Sequence, residues 1–327
     1  MCYWYCTYFG KLFILFLYRG RCIYAEKIVT EIQLQEVKDT EHFIKLNNGI
    51  SMPMLGYGTL HITDEALCEK CIYEAIKAGY RMFDTAAAYH NEEAIGRAVA
   101  RCVNEKIVKR EELFLITKVW IQDAGFNKTR KAVRESIKRL QVDYLDMYLI
   151  HQPFSDYYGS WRAMEDMLKE GDARSIGVCN FSKEKLVDLC LNSNVIPAVN
   201  QIEIHPFYLH DEELKVMKEY NIVAQAWGPL SEGQRDIFNI NILKEIGYKY
   251  GKSTAQVILR WHMQRGIPAI PKTVQIQHMY QNINIWDFEL SEWDMKQIEM
   301  LNIGYSEIID HNSPCTAKWL NKWKIHD

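Results

Sequence analysis

Asp64-Glu-Ala-Leu-Cys-Glu-Lys-Cys-Ile-Tyr-Glu-Ala-Ile-Lys-Ala-Gly-Tyr-Arg-Met-Phe-Asp84 reads as one helix followed by one strand. Over 64–78, Leu67, Cys71 and Ala75 form one row and Cys68, Ile72 and Ile76 the next, each at a spacing of four. That is the apolar stripe of an amphipathic helix. Gly79 stands where a helix C-terminus takes a left-handed residue, and the apolar run 81–84 follows at once. The unit recurs along the chain. Short apolar runs at 54–57, 81–84, 113–118, 144–151, 175–180, 198–201, 222–227 and 268–272 alternate with amphipathic stretches. In 129–140, Ala132, Val133, Ile137 and Leu140 share a face; 254–265 opens with the capping box Ser253-x-x-Gln256 and is closed by Gly266. Such alternation implies a parallel sheet with right-handed crossovers. Eight units in about 250 residues is the size of a closed (β/α)8 barrel. Ahead of them, Phe43-Ile-Lys-Leu46, Asn47-Asn-Gly49 and Ile50-Ser-Met52 predict an N-terminal β-hairpin. The alternative is an open doubly wound sheet. To bind a dinucleotide it would carry Gly-x-Gly-x-x-Gly after a strand, and Gly56-x-Gly58 has His61 at the third position.

With 48% hydrophobic and 25% charged residues, the 327-residue chain can fill a sizeable globular core. A net charge of −3 gives no reason to expect a nucleic-acid or anionic-membrane partner. Nine cysteines, odd in number and irregularly spaced, speak against a disulfide scaffold and for a reducing compartment, so a cytoplasmic location is expected. Cys68-x-x-Cys71 has the spacing of a redox or zinc half-site. Both thiols fall on an apolar helix face with no second pair to follow, so packing is expected of them and no metal site. The N-terminus differs from the rest. Residues 1–18 are aromatic and apolar around Leu12-Phe-Ile-Leu-Phe-Leu17, a run too short to span a bilayer, and Arg19 and Arg21 stand where a signal peptide wants small residues. The expectation is an extension over 1–41, disordered or outside the fold. A single barrel over 42–327 follows it, with a C-terminal loop, no stable membrane association and a monomeric or weakly dimeric state.

The predicted strands end in polar or aromatic residues: Asp84 with Tyr89 five residues on, then Lys118, His151, Asn180, Gln201, Trp227 and Lys272. Barrel active sites sit at that rim. One such residue would be a cap or a surface group; packing does not explain all of them. The runs Phe83-Asp-Thr-Ala86 with Tyr89 and Asn91-Glu92, Thr117-Lys-Val-Trp120 and Leu149-Ile-His151 come first. Ser175-Ile-Gly-Val-Cys-Asn-Phe181, Val199-Asn-Gln-Ile-Glu203 with His205-Pro206, and Ile270-Pro-Lys-Thr273 follow. In this order and spacing, from about Phe43 to Pro314, they resemble the signatures of the aldo-keto reductase family. Gln152 and Trp227-Gly-Pro-Leu230 resemble its microbial branch, of the 2,5-diketogluconate and aldehyde reductase type.

The resemblance implies NAD(P)H-dependent reduction of a small carbonyl substrate by a tetrad of Asp84, Tyr89, Lys118 and His151. Tyr89 would be the general acid. A free phenol has a pKa near ~10, and Lys118, held by Asp84, would lower it. His151 would orient the carbonyl and hydrogen-bond its oxygen. Cofactor contacts would come from Gly58, Thr59, Asp84, Cys179, Asn180, Gln201, Trp227, Leu230, Ser231, Lys272, Thr273, His278 and Asn282. Trp227 would stack on the nicotinamide, and the turn Glu232-Gly-Gln-Arg235 would border the pyrophosphate. Lys272 and Thr273 would open the last short helix, predicted over 275–282. Family members selecting NADPH place an arginine where this chain has His278. NADP(H) is therefore expected as the preferred cofactor, with NAD(H) second. Leu60, Tyr89, Trp120, His151 and the tail after Gly304 would wall the substrate site. A metal-dependent barrel hydrolase should show a His-x-His pair, which the ten histidines lack. A non-enzymatic relative need not keep a complete tetrad.

Overall fold

The computed structural model describes residues 42–327 and, ahead of them, the backbone of two short strands, Tyr5–Tyr8 and Lys11–Ile14. The chain divides into two compact units, Met1–Thr40 and Glu41–Asp327. In the first, the two strands pair antiparallel, Tyr5 opposite Ile14 and Tyr8 opposite Lys11. Apart from those two strands, the extension expected over 1–41 lies outside the described residues.

The second unit is a barrel. Tyr57–Gly58, Met82–Asp84, Phe114–Val119, Met147–Ile150, Ile176–Cys179, Val199–Glu203 and Val223–Trp227 form one parallel sheet in sequence order. The eighth run, 268–272, makes no regular strand, because Pro268 and Pro271 have no N–H to give to a ladder. It closes the barrel through backbone bonds in both directions, with Ala269 N donating to Met54 O (2.9 Å) and Ile270 N to Ala226 O (3.2 Å). Ala269 bridges to both Leu55 and Ala226. Ala226 N donates to Pro268 O (2.7 Å), Gly56 N to Ala269 O (2.9 Å) and Gly58 N to Pro271 O (3.0 Å). Gly58 is required here, since a Cβ on it would lie 2.7 Å from Ile270 O.

The predicted helix signals act as read. Asp64 caps Glu65–Ala78 by accepting from Leu67 N at 2.7 Å, and Gly79 adopts φ +107°. Ser253 and Gln256 form the capping box of Thr254–Gln264. Cys68, Cys71, Ile72, Ala75 and Ile76 are buried, whereas Leu67, one helical step off that row, is 39% exposed. Cys68 and Cys71 are free buried thiols, and burial raises the pKa of both, as packing cysteines should show.

The hairpin pairs Phe43–Lys45 with Ser51–Pro53, Ile44 opposite Met52. Leu46 and Met52 cluster with Met82, Phe114, Ile116, Met147 and Leu149, so the hairpin plugs the N-terminal end of the barrel. Side chains alternate along a strand. With Phe114 and Ile116 pointing inward, Lys118 must point inward as well. The same parity carries Met82 to Asp84, Leu149 to His151, and Val199 to Gln201. The interior is therefore apolar at the hairpin end and polar at the other.

Candidate active site

Lys118 is fully buried in that polar layer. Its ammonium donates to Asp84 Oδ1 at 2.5 Å and to Thr85 O at 2.9 Å, and stands 3.5 Å from the Tyr89 hydroxyl. Asp84 Oδ2 accepts from Gln201 Nε2 (2.7 Å), and Gln201 Nε2 also donates to Gln225 Oε1 (2.8 Å). Burial, the largest single influence, pulls the Lys118 pKa down, but Asp84, by charge and hydrogen bond, together with Tyr89 and Cys179 outweighs it and the net shift is upward. The lysine is thus a fixed cation.

Tyr89 sits in the short turn Ala87–Tyr89, edge-on to His151 with ring centroids 5.5 Å apart. The sequence led to the expectation of a phenol pKa lowered by Lys118. Here burial dominates, and despite the lysine the pKa rises to about 12. The reason is geometric: the ammonium is spent on Asp84 and Thr85 O at short range, and reaches the phenol only at 3.5 Å. At neutral pH Tyr89 is therefore protonated, the form a proton donor needs.

His151 is held neutral. Burial first, then Lys118 and His311, push its pKa well below the usual 6.5. His311 is likewise lowered, by burial, to about 4. Their shifts set a sign for stability. The unfolded chain protonates both imidazoles as pH falls through 6.5, and the folded chain does not, so the unfolded state binds more protons and stability falls. Melting temperature should drop between pH 6.5 and about 5, before most carboxylates titrate, and the drop should shrink in His311→Gln. A flat profile in that window would contradict the neutral state of both rings.

The loop carrying Tyr89 is fixed by buried polar residues that the sequence motifs contain but whose work was not legible there. Asn91 Nδ2 donates to Thr59 O (3.0 Å) and Ile62 O (3.2 Å), and Thr85 Oγ1 donates to Asn91 Oδ1 (2.6 Å). Buried Glu92 accepts from Thr117 Oγ1 (2.6 Å) and Arg139 Nε (2.7 Å). Gln225 was also missed; its signal is a lone amide inside the apolar strand Val223–Trp227.

The residues expected around a cofactor divide into groups. Asn180, Gln201, Cys179 and Trp227 come together. Trp227 Nε1 donates to Asn180 Oδ1 (2.8 Å), Asn180 Nδ2 to His151 O (3.1 Å), and the Cys179 thiol to Gln201 Oε1 (3.8 Å). Gly58 and Thr59 serve the barrel itself, Thr59 donating through both N and Oγ1 to Asp84 O (3.1 and 2.8 Å). Leu230 is half-buried and Ser231 buried at φ +52°, at the start of an irregular turn. In that turn Arg235 is taken up by Glu307 through two contacts of 2.6 and 2.8 Å. Lys272 and Thr273 do not open the helix Ile276–Ile283 as expected, nor is that helix the last, since Glu292–Glu299 and Pro314–Lys322 follow. Lys272 and Thr273 precede it, since Gln275 is the N-cap of Ile276–Ile283. Tyr57 donates to Thr273 O, and Thr273 Oγ1 accepts from Gln275 N at 3.1 Å. On that helix His278 is exposed and Asn282 buried.

On the substrate side Leu60 is half-buried, and Trp120 is buried under the C-terminal segment. Trp120 Nε1 donates to Trp323 O (2.9 Å), and its ring meets the edges of His151 (5.1 Å) and Trp323 (5.3 Å). That segment, expected as a loop, contains the helix Pro314–Lys322 and is clipped at its end by His326 on Asp123 at 2.9 Å.

The match to known proteins decides what this rim belongs to. The model of the Aldo/keto reductase family matches residues 54–303. The chain belongs to the aldo/keto reductase family. It is an NAD(P)H-dependent carbonyl reductase. Among curated relatives, a glyoxal reductase of Bacillus subtilis is 43% identical over 267 residues, covering 81% of this chain and 94% of the relative. Methylglyoxal reductase DkgA of Escherichia coli O157:H7 is 39% identical, covering 80% and 94%. Among solved structures, a Bombyx mori aldo-keto reductase in complex with NADP superposes with TM-score 0.78 at 34% identity, covering 82% of this chain and 94% of that one. The reductase has features that fit such a cofactor. The half-buried indole of Trp227 and the exposed ammonium of Lys272, at the ends of the seventh and eighth strand segments, offer an aromatic plane and a cation.

Proposed function

We propose that Tyr89, His151, Lys118 and Asp84 carry out the reduction, and that the preferred substrates are small aldehydes and α-oxoaldehydes. The observation that carries the reading is the buried Lys118–Asp84 pair set against a protonated Tyr89 that faces a neutral His151. NADPH supplies the hydride. Tyr89 delivers its proton to the carbonyl oxygen, and Lys118 stabilises the phenolate left behind. His151, uncharged, donates one hydrogen bond to that oxygen and orients it. The names of the glyoxal and methylglyoxal reductases support the substrate class. A carbonyl panel read by NADPH absorbance tests it: small aldehydes and α-oxoaldehydes should consume NADPH, and an inert panel would overturn it.

In the same reading Trp227, Asn180, Gln201 and Cys179 hold the nicotinamide, Ser231 and Leu230 border the pyrophosphate, and Lys272, Thr273, His278 and Asn282 meet the adenosine phosphate end. Trp120, Leu60 and the tail wall the substrate. Residues 42–327 form the reductase barrel, with 1–41 an extension outside it. No helix among the described residues is long and apolar enough to cross a membrane. A cytoplasmic monomer or weak dimer without a nucleic-acid partner is the state proposed.

NADP(H) is the preferred cofactor, with NAD(H) accepted. His278 is exposed on the helix Ile276–Ile283. An imidazole offers a 2′-phosphate fewer donors than a permanently charged guanidinium fork. His278→Arg should tighten NADPH by about one to two decades in Kd and leave NADH nearly unchanged. Titration of both cofactors checks this. Equal effects on the two would place His278 away from the phosphate.

A further inference from the structure

Among the buried side-chain atoms without a hydrogen-bond partner are His151 Nδ1, Gln152 Oε1 and His311 Nε2. Orphaned buried polar atoms are uncommon in native proteins and call for a water or a ligand. His311 is the informative one, because the four-residue reduction machinery makes no use of it. It comes from the tail, yet its ring stands edge-on to Trp227 at 6.4 Å and is close enough to His151 to depress that residue's pKa. Trp227 and His151 end the seventh and fourth strands and are joined through Asn180. An imidazole that reaches both therefore lies over the mouth where hydride and proton must meet.

Its position is built. Ser306 Oγ donates to Glu203 Oε2 at 2.6 Å and accepts from the backbone N–H groups of Ile308 (3.1 Å) and Ile309 (2.9 Å). Glu203 is itself buried at the end of the sixth strand and contacts His205 Nε2 at 2.9 Å. The base of the tail is thus tied to the barrel at Ser306, five residues before His311.

Resting on the reductase reading above, we propose that His311 is a specificity residue whose Nε2 hydrogen-bonds an uncharged oxygen on the carbon next to the reacting carbonyl, a vicinal carbonyl or hydroxyl. The guest oxygen is uncharged because the ring is neutral: burial lowers its pKa to about 4. A neutral imidazole offers one hydrogen bond and no charge, which gives a carboxylate no electrostatic reason to bind there.

The test compares 2-oxopropanal with propanal, which has the same carbon skeleton without the second oxygen. The quantity read is the ratio of their kcat/KM values with NADPH. His311→Leu should lower the ratio about tenfold, one hydrogen bond's worth, chiefly through KM for 2-oxopropanal. His311→Gln, whose amide reaches to about the place of Nε2, should hold the ratio within about threefold of the parent. A ratio unchanged in His311→Leu overturns the proposal. So does a ratio lost as fully in His311→Gln as in the leucine variant, since ring volume and not a hydrogen bond would then set the preference. Should the leucine variant fail to fold, His311→Met, which also lacks the imidazole donor, takes its place in the same comparison. Failure of the parent enzyme to reduce either aldehyde would instead overturn the general reading.

Discussion

Tyr89→Phe is expected to lower kcat by about 100- to 10,000-fold, the usual contribution of a general acid, while NADPH affinity stays within about twofold. The phenol has no hydrogen bond to lose except the long 3.5 Å contact from Lys118, so its removal disturbs little of the resting structure. Its ring would still pack against His151 at 5.5 Å between centroids. The loss must therefore appear in the transition state, with kcat and kcat/KM falling together. Single-turnover kinetics with a small aldehyde gives the measurement under conditions where chemistry limits the rate. A variant keeping a third of the parent's turnover would show that another group delivers the proton.

The second large effect is expected at the pair that supports the phenol. Lys118→Met removes the cation that stabilises phenolate, and should cost about 100-fold or more in kcat at neutral pH. It also strands Asp84, which is 2% exposed and would keep only its bond from Gln201. Breaking a buried ion pair by removing one partner typically costs about 3–5 kcal/mol of stability. Asp84→Asn leaves Lys118 its bond to Thr85 O (2.9 Å) and should cost less in kcat, because the ammonium is loosened and not lost. Its stability should fall too, for the charge left behind is fully buried. In the double variant neither charge remains, so it should melt above at least one of the single variants. The losses in kcat should be less than additive. Additive losses in both stability and rate would mean that the two residues do not act as a unit.

The barrel was legible in the chain because its local signals agree. Asp64 and Gly79 bound one helix, Ser253 and Gln256 open another, and apolar runs recur between them at the spacing of strand-helix units. Strand parity did the rest for Asp84, Lys118 and His151, while Tyr89 is placed by the turn Ala87–Tyr89. Once Phe114 and Ile116 face the barrel axis, Lys118 has to as well, and polar residues at the ends of successive strands must share one rim. The order of the motifs identified the family, and the resemblance suggested the role proposed for each tetrad residue. Local pattern fell short at the eighth strand segment, where Pro268 and Pro271 interrupt the ladder and closure is made by isolated bridges at Ala269 and a few backbone bonds rather than a regular strand. It fell short again at Lys272 and Thr273, which the N-cap at Gln275 places ahead of the helix Ile276–Ile283.

What the tertiary structure alone decided was electrostatic and long-range. The sequence put a lysine near a tyrosine and so suggested a lowered phenol pKa. Burial and the prior claim of Asp84 and Thr85 O on the ammonium reverse the sign, to about 12. Desolvation depends on everything packed around a group, which no spacing of residues records. In the same way the tail after Gly304 carries no periodic signal toward the rim. Its contacts with Trp120, Gln122, Asp123 and Glu203 span more than 100 positions and exist only once the barrel has closed. The residue types and their order determined which chemistry this chain performs; which of those groups are charged, and what stands over them, was settled by packing.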